Sequence, residues 1–321
     1  MSDPPQSPKK RASRNRTLTL SAADRDRLQA NIVTEIVGTE LPPNQTLQGN
    51  CLDFAPHLPQ DSIDLLILDP PYNLNKTFNG QTFVKQSVSA YTDWLDHICS
   101  TLKPLLKPSA SIYICGDWFT STSIFTVAHT HFHVRNRITW EREKGRGARS
   151  NWKNASEDIW FCTASNTYTF NCQAVKQRRK VLAPYRHHDG SPKDWVQTTQ
   201  GNFRDTYPSN LWTDISIPFW SMPENTDHPT QKSEKLLAKL VLASSNPGDL
   251  VLDPFLGSGT TSVVAKKLGR QYWGIDINLE YCLWAERRLE LADADPRIQG
   301  LAQGIFWERN TVPTSRLNRS T

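Results

Sequence analysis

The sequence predicts an α/β protein built on a doubly wound, mainly parallel sheet, with one inserted region. Three observations carry this. The run Ile63–Leu68, ending at Asp69, is too apolar for a strand with a wet face, so it reads as a central strand covered on both sides. Similar runs then alternate with helical segments along the chain. Late in the sequence, Asp253-Pro254-Phe255-Leu256-Gly257-Ser258-Gly259-Thr260-Thr261 joins a strand to a helix through a glycine loop.

The elements follow in order. Residues 1–17 hold Lys9, Lys10, Arg11, Arg14 and Arg16 among Ser and Pro and read as a disordered basic tail. Residues 21–38 read as a helix opened by Ser21. After Ile63–Leu68 come a helix near 91–106 and a second buried strand, Ala110–Cys115. Val134–Trp140 and Asp158–Thr163 read as two more strands, with a polar, basic stretch over 141–154 between them. From 171 to 227 the periodicity is poor and Trp, Pro, Arg and His dominate, which marks a substrate-facing insertion. Order returns with a helix over Ser233–Ser245, whose Leu236, Leu237, Leu240 and Val241 share a face. A strand at Asp249–Leu252, a helix at Thr260–Leu268 stopped by Gly269, a strand at Tyr272–Ile275 and a helix at Leu279–Ala292 complete the pattern. Little order is expected beyond about 296. The expected division is 1–17, a first half at 18–170, the insertion at 171–227, a second half at 228–295 and a tail at 296–321.

The chain has 321 residues, 37% hydrophobic, with a net charge of +5. No stretch approaches the ~20 apolar residues of a membrane span. The N-terminus lacks an apolar signal core, so a cytoplasmic location is expected. The six cysteines form no C-x-x-C pair and read as reduced thiols. His187-His188 has no partners at ligand spacing, so no metal is expected. The positive charge suits a polyanionic partner without requiring one.

The glycine loop constrains the cofactor. Gly257 and Gly259 let backbone N–H groups approach a ligand. Asp276, 23 residues after Asp253, stands where nucleotide-binding folds place a carboxylate on ribose hydroxyls. No Lys follows Gly259, so this is not a phosphate-binding P-loop, and the last glycine of a dinucleotide fingerprint is replaced by Ser262. Asp253 is a poor neighbour for pyrophosphate and a good one for the ammonium of a methionine moiety. The loop therefore favours S-adenosylmethionine.

The second motif is Asp69-Pro70-Pro71-Tyr72. The prolines stiffen the backbone and remove donors while leaving carbonyls free. Asp69 and the Pro70 carbonyl can receive an –NH2 group and stabilise the positive charge that develops on it, and Tyr72 offers a stacking face. A base amine inside a duplex is out of reach, so the base has to be flipped out.

Together these motifs resemble the β-class amino-methyltransferases of bacterial restriction–modification and orphan systems, in which the D-P-P-Y half precedes the cofactor half. His228-Pro229-Thr230-Gln231-Lys232 is similar to that family's H-P-T-Q-K-P, with Ser233 in place of the final Pro. Gly49-Asn50-Cys51-Leu52 is similar to its G-D-C-L, with Asn50 in place of Asp. The resemblance covers roughly 47–170 and 228–292. It implies a Rossmann-like methyltransferase fold in circularly permuted order and a catalytic role for Asp69, Pro70, Pro71 and Tyr72. It implies cofactor contacts from Asn50, Cys51, Asp69, Thr230, Lys232, Asp253, Phe255, Gly257, Ser258, Gly259, Thr260 and Asp276.

Double-stranded DNA is the expected partner. The stretch over 141–153 contains Arg142, Lys144, Arg146, Arg149 and Lys153, flanked by Trp140 and Trp152, which suits phosphate contact and base stacking. In the insertion, Lys176, Arg178, Arg179, Lys180, Arg186 and Arg204 are further candidates for phosphates or guanine edges. The stretch 73–91 reads as a loop over the base, with Phe78 and Phe83 as candidate contacts. A homodimer and a cognate restriction nuclease are candidate partners. Within the resemblance, Asp rather than Ser at the first motif position implies adenine N6 as the target. Cytosine N4 is the alternative, and RNA or protein-glutamine methylation a remote one.

Overall fold

The computed structural model describes residues 12–36, 41–78, 81–142, 150–181, 184–199 and 201–308; for 76–83 only the backbone is described. In chain order the strands are β1 (Ile32–Val33), β2 (Gln45–Gln48), β3 (Ile63–Leu68), β4 (Lys76–Phe78), β5 (Gln81–Phe83), β6 (Leu106–Gly116), β7 (His133–Glu141), β8 (Ser156–Thr163), β9 (Gln177–Lys180), β10 (Val196–Thr198), β11 (Gly201–Thr206), β12 (Leu211–Trp212), β13 (Leu250–Asp253), β14 (Gln271–Asp276), β15 (Leu301–Ala302) and β16 (Ile305–Trp307). The α-helices are α1 (Ala22–Gln29), α2 (Cys51–Phe54), α3 (Val88–Leu102), α4 (Ser121–His131), α5 (Glu234–Ser244), α6 (Thr260–Lys267) and α7 (Leu279–Ala294).

Nine strands form the main sheet in the order β1-β2-β14-β13-β3-β6-β8-β7-β12. All neighbours are parallel except at β8, which runs antiparallel between β6 and β7. Alternation along β3 explains its apolar run. Leu66 and Leu68 enter one core with α3 and α4, while Leu65 and Ile67 enter the other with α5 and α6. Both faces are covered, so there is no place for a polar side.

The connectivity fixes where a ligand can sit. From β3 the chain crosses over α3 to β6 on one side. From β13 it crosses over α6 to β14 on the other side. Because β13 and β3 are neighbours, with Leu252 opposite Leu66, the direction of winding reverses between them. Doubly wound sheets bind ligands at the carboxyl ends of strands at such a switch point.

Several elements differ from the sequence reading. The helix expected over 21–38 is only Ala22–Gln29. Its capping box, Ser21 with Asp24, is present, but Leu28 is its one buried residue, so no apolar stripe extends it. Ile32 instead pairs with Thr46 in the sheet. Helix α4 was not anticipated, because STSIFTVAHTH is rich in Ser, Thr and β-branched residues. Burial of Ile124, Val127 and Ala128 against the sheet supplies what propensity does not. Strand β2 was also missed, since QTLQ carries no apolar run.

In 171–227 the structure forms β9, β10 and β11, which join β15 and β16 in a second sheet of order β10-β11-β9-β16-β15. The stretch beyond 296, where no order was expected, thus supplies two of its strands. Lys235 of α5 ties this sheet to the segment after β12, donating to the Trp307 carbonyl of β16 at 2.5 Å and to Asp214 Oδ2 at 2.5 Å.

Candidate active site

The carboxyl ends of β2, β14, β13 and β3 stand side by side and open into one cavity of about 310 Å³. Each end delivers one of the sequence motifs. β2 leads into Gly49-Asn50-Cys51, β14 ends at Asp276, β13 ends at Asp253 and β3 is followed by Asp69.

The β13 end is a buried acidic site. Asp253 is 3% exposed. One oxygen accepts from the Phe255 amide at 3.0 Å and the other from the Thr261 hydroxyl at 2.5 Å. Burial pushes its pKa up to about 7, against the lowering effect of those two hydrogen bonds. Among the described residues it forms no ion pair. Asp276 accepts from the Gly257 amide at 2.9 Å and the Asn278 amide at 2.8 Å, and burial raises it to about 6. Asp276 therefore also shapes the glycine loop.

The two glycines act differently. Gly257 lies on the cavity wall with φ +53°, and a Cβ there would come within 3.1 Å of His228 Nε2. Gly259, expected on the cofactor, is not part of that wall. With φ +84°, it packs against α7, where a Cβ would meet Ala285 Cβ at 2.5 Å and Ala285 Cα at 2.6 Å. Behind the loop, buried Arg288 donates to the Ser258 carbonyl at 2.9 Å, Thr260 Oγ1 at 2.8 Å and Glu234 Oε1 at 3.1 Å. Nothing in the sequence distinguishes Arg288 from the other charges of α7. Ser258 and Thr260 line the cavity, and Thr260 also donates to the Lys232 carbonyl at 3.1 Å.

At the β2 end, Asn50 caps α2 by accepting from the Leu52 amide at 3.1 Å. Cys51 is buried, and burial pushes its thiol to about 11, so it presents a neutral wall. Trp94 was missed by sequence reasoning. It stacks obliquely between Tyr91 (5.5 Å) and Phe255 (6.0 Å) and lines the cavity. Its spacing of three from Tyr91 on one helix was the available signal. Tyr281, packed edge-on against His228 at 4.3 Å, is a second omission. Thr230 lines the same side, its amide 3.4 Å from His228 Nδ1.

At the β3 end, Lys232 bridges to the tetrapeptide. Its Nζ lies 2.8 and 2.7 Å from the two Asp69 oxygens and 3.2 Å from the Tyr72 hydroxyl. Tyr72 in turn donates to Asp69 Oδ1 at 3.2 Å. Burial would lower the Lys232 pKa, but the Asp69 and Glu157 carboxylates outweigh it and hold the ammonium above its ordinary value. Burial, with Asp69 beside it, keeps the Tyr72 hydroxyl protonated. Pro70 and Pro71 line the cavity, and the Pro71 carbonyl accepts from the Tyr91 hydroxyl at 3.2 Å.

The residues expected on DNA divide. Lys144, Arg146 and Arg149 lie outside the described residues, as do the side chains of Phe78 and Phe83. Trp152 is 95% exposed and Lys153 is exposed. Arg142 instead turns inward and pairs with Glu157. Trp140, expected beside the basic loop, is fully buried and donates to the Ile215 carbonyl at 3.0 Å. In the insertion, Arg178 pairs with Asp205 and Arg204 with Asp194, so these arginines first hold the second sheet together. Among the described residues no group of His, Cys, Asp and Glu could hold a metal, and no helix is long and apolar enough to cross a membrane.

Known proteins are similar to this chain in sequence and fold. The chain is 34% identical over 253 residues to DNA adenine methyltransferase YhdJ of Escherichia coli (strain K12), covering 77% of this chain and 82% of that protein. It is 34% identical over 245 residues to Type II methyltransferase M.HpaI of Haemophilus parainfluenzae, covering 75% and 73%. Its fold matches PvuII DNA methyltransferase (cytosine-N4-specific) with a TM-score of 0.59 at 18% identity, over 82% of this chain and 92% of that one. It also matches the M1.HpyAVI–SAM complex with a TM-score of 0.53 at 22% identity, over 76% and 98%. The DNA methylase family model N6_N4_Mtase matches residues 63–287. The chain belongs to that family of DNA amino-methyltransferases.

Proposed function

We propose that this protein transfers the methyl group of S-adenosylmethionine to the exocyclic amine of a flipped-out base in double-stranded DNA, with adenine N6 as the target. One observation carries the reading. A single cavity joins a buried carboxylate, Asp253, which has no cation partner among the described residues, to the Asp69-Pro70-Pro71-Tyr72 segment.

The residues fit the cofactor. An uncompensated buried carboxylate is costly unless a cation reaches it, and the ammonium of a methionine moiety is such a cation. Asp276 keeps lone pairs for ribose hydroxyls beyond the two amides it already accepts. Asn50, Cys51, Phe255 and Trp94 offer one polar edge and an apolar wall for a purine. Thr230, Ser258 and Thr260 complete the polar lining. When bound, S-adenosylmethionine supplies a methyl group on a positively charged sulfur.

The chain's own residues act on the amine. A base nitrogen is a weak nucleophile because its lone pair is conjugated with the ring. Asp69 and the Pro70 carbonyl accept its N–H groups, which directs the lone pair outward and stabilises the developing positive charge. Tyr72 supports the ring of the flipped base. Trp152 and the basic stretch around it contact the duplex.

The Asp that opens the tetrapeptide and the adenine-methylating relative both favour adenine. Digestion of DNA methylated by the purified protein to nucleosides tests this. N6-methyladenine is expected; N4-methylcytosine alone would shift the target, and no methylated nucleoside would overturn the reading. The Type II relative extends the proposal to protection of DNA from a cognate nuclease within the cytoplasm.

A further inference from the structure

We propose that Glu157 is a positioning residue for methyl transfer, receiving the Lys232 ammonium when the Asp69 carboxylate is given over to the target amine. This rests on the reading of Asp69 as the acceptor for that amine.

Asp69 is engaged as it stands. Both of its oxygens are within 2.8 Å of the same ammonium, and Oδ1 also receives the Tyr72 hydroxyl. An acceptor already neutralised by a cation is a weak stabiliser for the positive charge that grows on an attacking nitrogen, because the ammonium repels that charge. Something has to draw Lys232 aside.

Glu157 is placed to do so. Its Oε2 lies 3.3 Å from Lys232 Nζ. That oxygen is buried and, among the described residues, has no hydrogen-bond partner, the Lys232 contact being an ion pair only, while Oε1 is held by Arg142. A buried carboxylate oxygen left without a donor is unfavourable, so it attracts one. Lys232 already touches it and carries three donors on a flexible stem. The Glu157 side chain is 4% exposed and sits on β8, opposite Trp140 of β7, so it is fixed by the sheet rather than by a loop.

The charges allow the exchange. Arg142, Glu157, Lys232 and Asp69 alternate in sign along one chain of contacts. Moving the ammonium from Asp69 to Glu157 leaves their sum unchanged. As positive charge develops on the amine, it replaces Lys232 as the partner of Asp69, and Lys232 pairs with Glu157. Cys115 and Tyr72 beside it add no competing negative charge, although the Tyr72 hydroxyl oxygen accepts from the ammonium at 3.2 Å. Burial keeps the Cys115 thiol protonated, and it keeps the Tyr72 hydroxyl protonated too.

The test uses the full chain with unmethylated genomic DNA and radiolabelled S-adenosylmethionine. In Glu157→Gln the amide still accepts from Arg142 but cannot take the ammonium. We expect kcat to fall by about 10-fold or more, short of the roughly 100- to 1000-fold scale for a group that itself meets the transition-state charge, because Glu157 acts through Lys232. KM for DNA and the affinity for S-adenosylhomocysteine should stay within about twofold. Glu157→Asp restores a carboxylate and should recover most of kcat. A Glu157→Gln protein with kcat within about twofold of wild type overturns the proposal, as does a parallel loss of kcat and cofactor affinity. Loss of folding in Glu157→Gln with an inactive but folded Glu157→Asp also overturns it. Absence of transfer by the wild-type protein instead overturns the methyltransferase reading itself.

Discussion

Asp253 offers the sharpest test of the site. Its carboxyl is buried, and burial pushes its pKa from 3.8 up to about 7. Between these two values the folded protein binds a proton that the unfolded chain has released. Stability contributed at this position therefore falls as pH rises from about 4 to 7, and the penalty is complete above 7. Three units at about 1.4 kcal/mol each set it on the order of 4 kcal/mol at pH 8. A ligand ammonium offsets that penalty, because it favours the ionised form. S-adenosylhomocysteine retains the ammonium and cannot react, so it is the probe. At pH 6, one unit below the carboxyl's pKa, about one molecule in eleven is ionised, and Kd should be about tenfold weaker than at pH 8. Calorimetry in two buffers of different ionisation enthalpy should show proton release on binding below pH 7. Asp253→Asn removes a charge-assisted hydrogen bond of about 1.5–3 kcal/mol, a loss of about 10- to 150-fold in affinity. The same variant should melt at a higher temperature than wild type at pH 8, with the gap closing toward pH 4. A Kd that is flat from pH 6 to 8, or an Asp253→Asn variant that binds as tightly as wild type, would refute the assignment of this carboxylate to the ammonium.

Other outcomes follow from the same geometry. Asp69→Asn still accepts from Lys232, so S-adenosylhomocysteine affinity should hold while kcat drops by about 100- to 1000-fold; an active variant removes Asp69 from the chemistry. Asp276→Ala should weaken S-adenosylhomocysteine binding by about 1–3 kcal/mol, since the ribose acceptor and the Gly257 and Asn278 amide acceptor are lost together; unaltered calorimetric binding contradicts this. Gly259→Ala drives a Cβ into Ala285 and should cost about 1–3 kcal/mol in urea unfolding; an unchanged midpoint would show that α7 can yield. Trp152→Ala should leave stability within about 0.5 kcal/mol yet weaken DNA binding in fluorescence anisotropy by about 1–3 kcal/mol; equal anisotropy curves would assign the exposed ring no part in binding.

What was legible in the sequence were the elements whose pattern is local. Ile63–Leu68 is a strand over those residues, and the Ser233 cap with its leucine face marked α5 within a residue. Elements held by tertiary contacts were not visible. α4 is dominated by Ser, Thr and β-branched residues, and β15 and β16 are too short to show alternation before β16 meets β9. The site divided in the same way. Asp69, Asp253 and Asp276 stand out as candidates in the sequence because each lies at or just after the end of an apolar strand, beside a motif. Arg288, Trp94 and Glu157 were not, because a buried arginine, tryptophan or glutamate looks like any other until the fold shows what surrounds it. The inward turn of Arg142 and the burial of Trp140 have the same cause. Charge and aromaticity are read from sequence, but the face on which they fall is set by strand register, and one residue of register exchanges core for solvent.

The sequence by itself determined the motifs: a D-P-P-Y segment after β3, a glycine loop after β13 and a carboxylate at the end of β14, in an order that resembles the family. Those are properties of residue types at fixed spacings. Only the tertiary structure decided how they interact. Parallel pairing of β13 with β3 brings residues 69 and 253 to one cavity. The same packing sets Lys232 between Asp69 and Glu157 and turns Gly259 toward α7 instead of the cavity. These outcomes depend on distances between residues far apart in the chain, which the fold fixes and spacing does not.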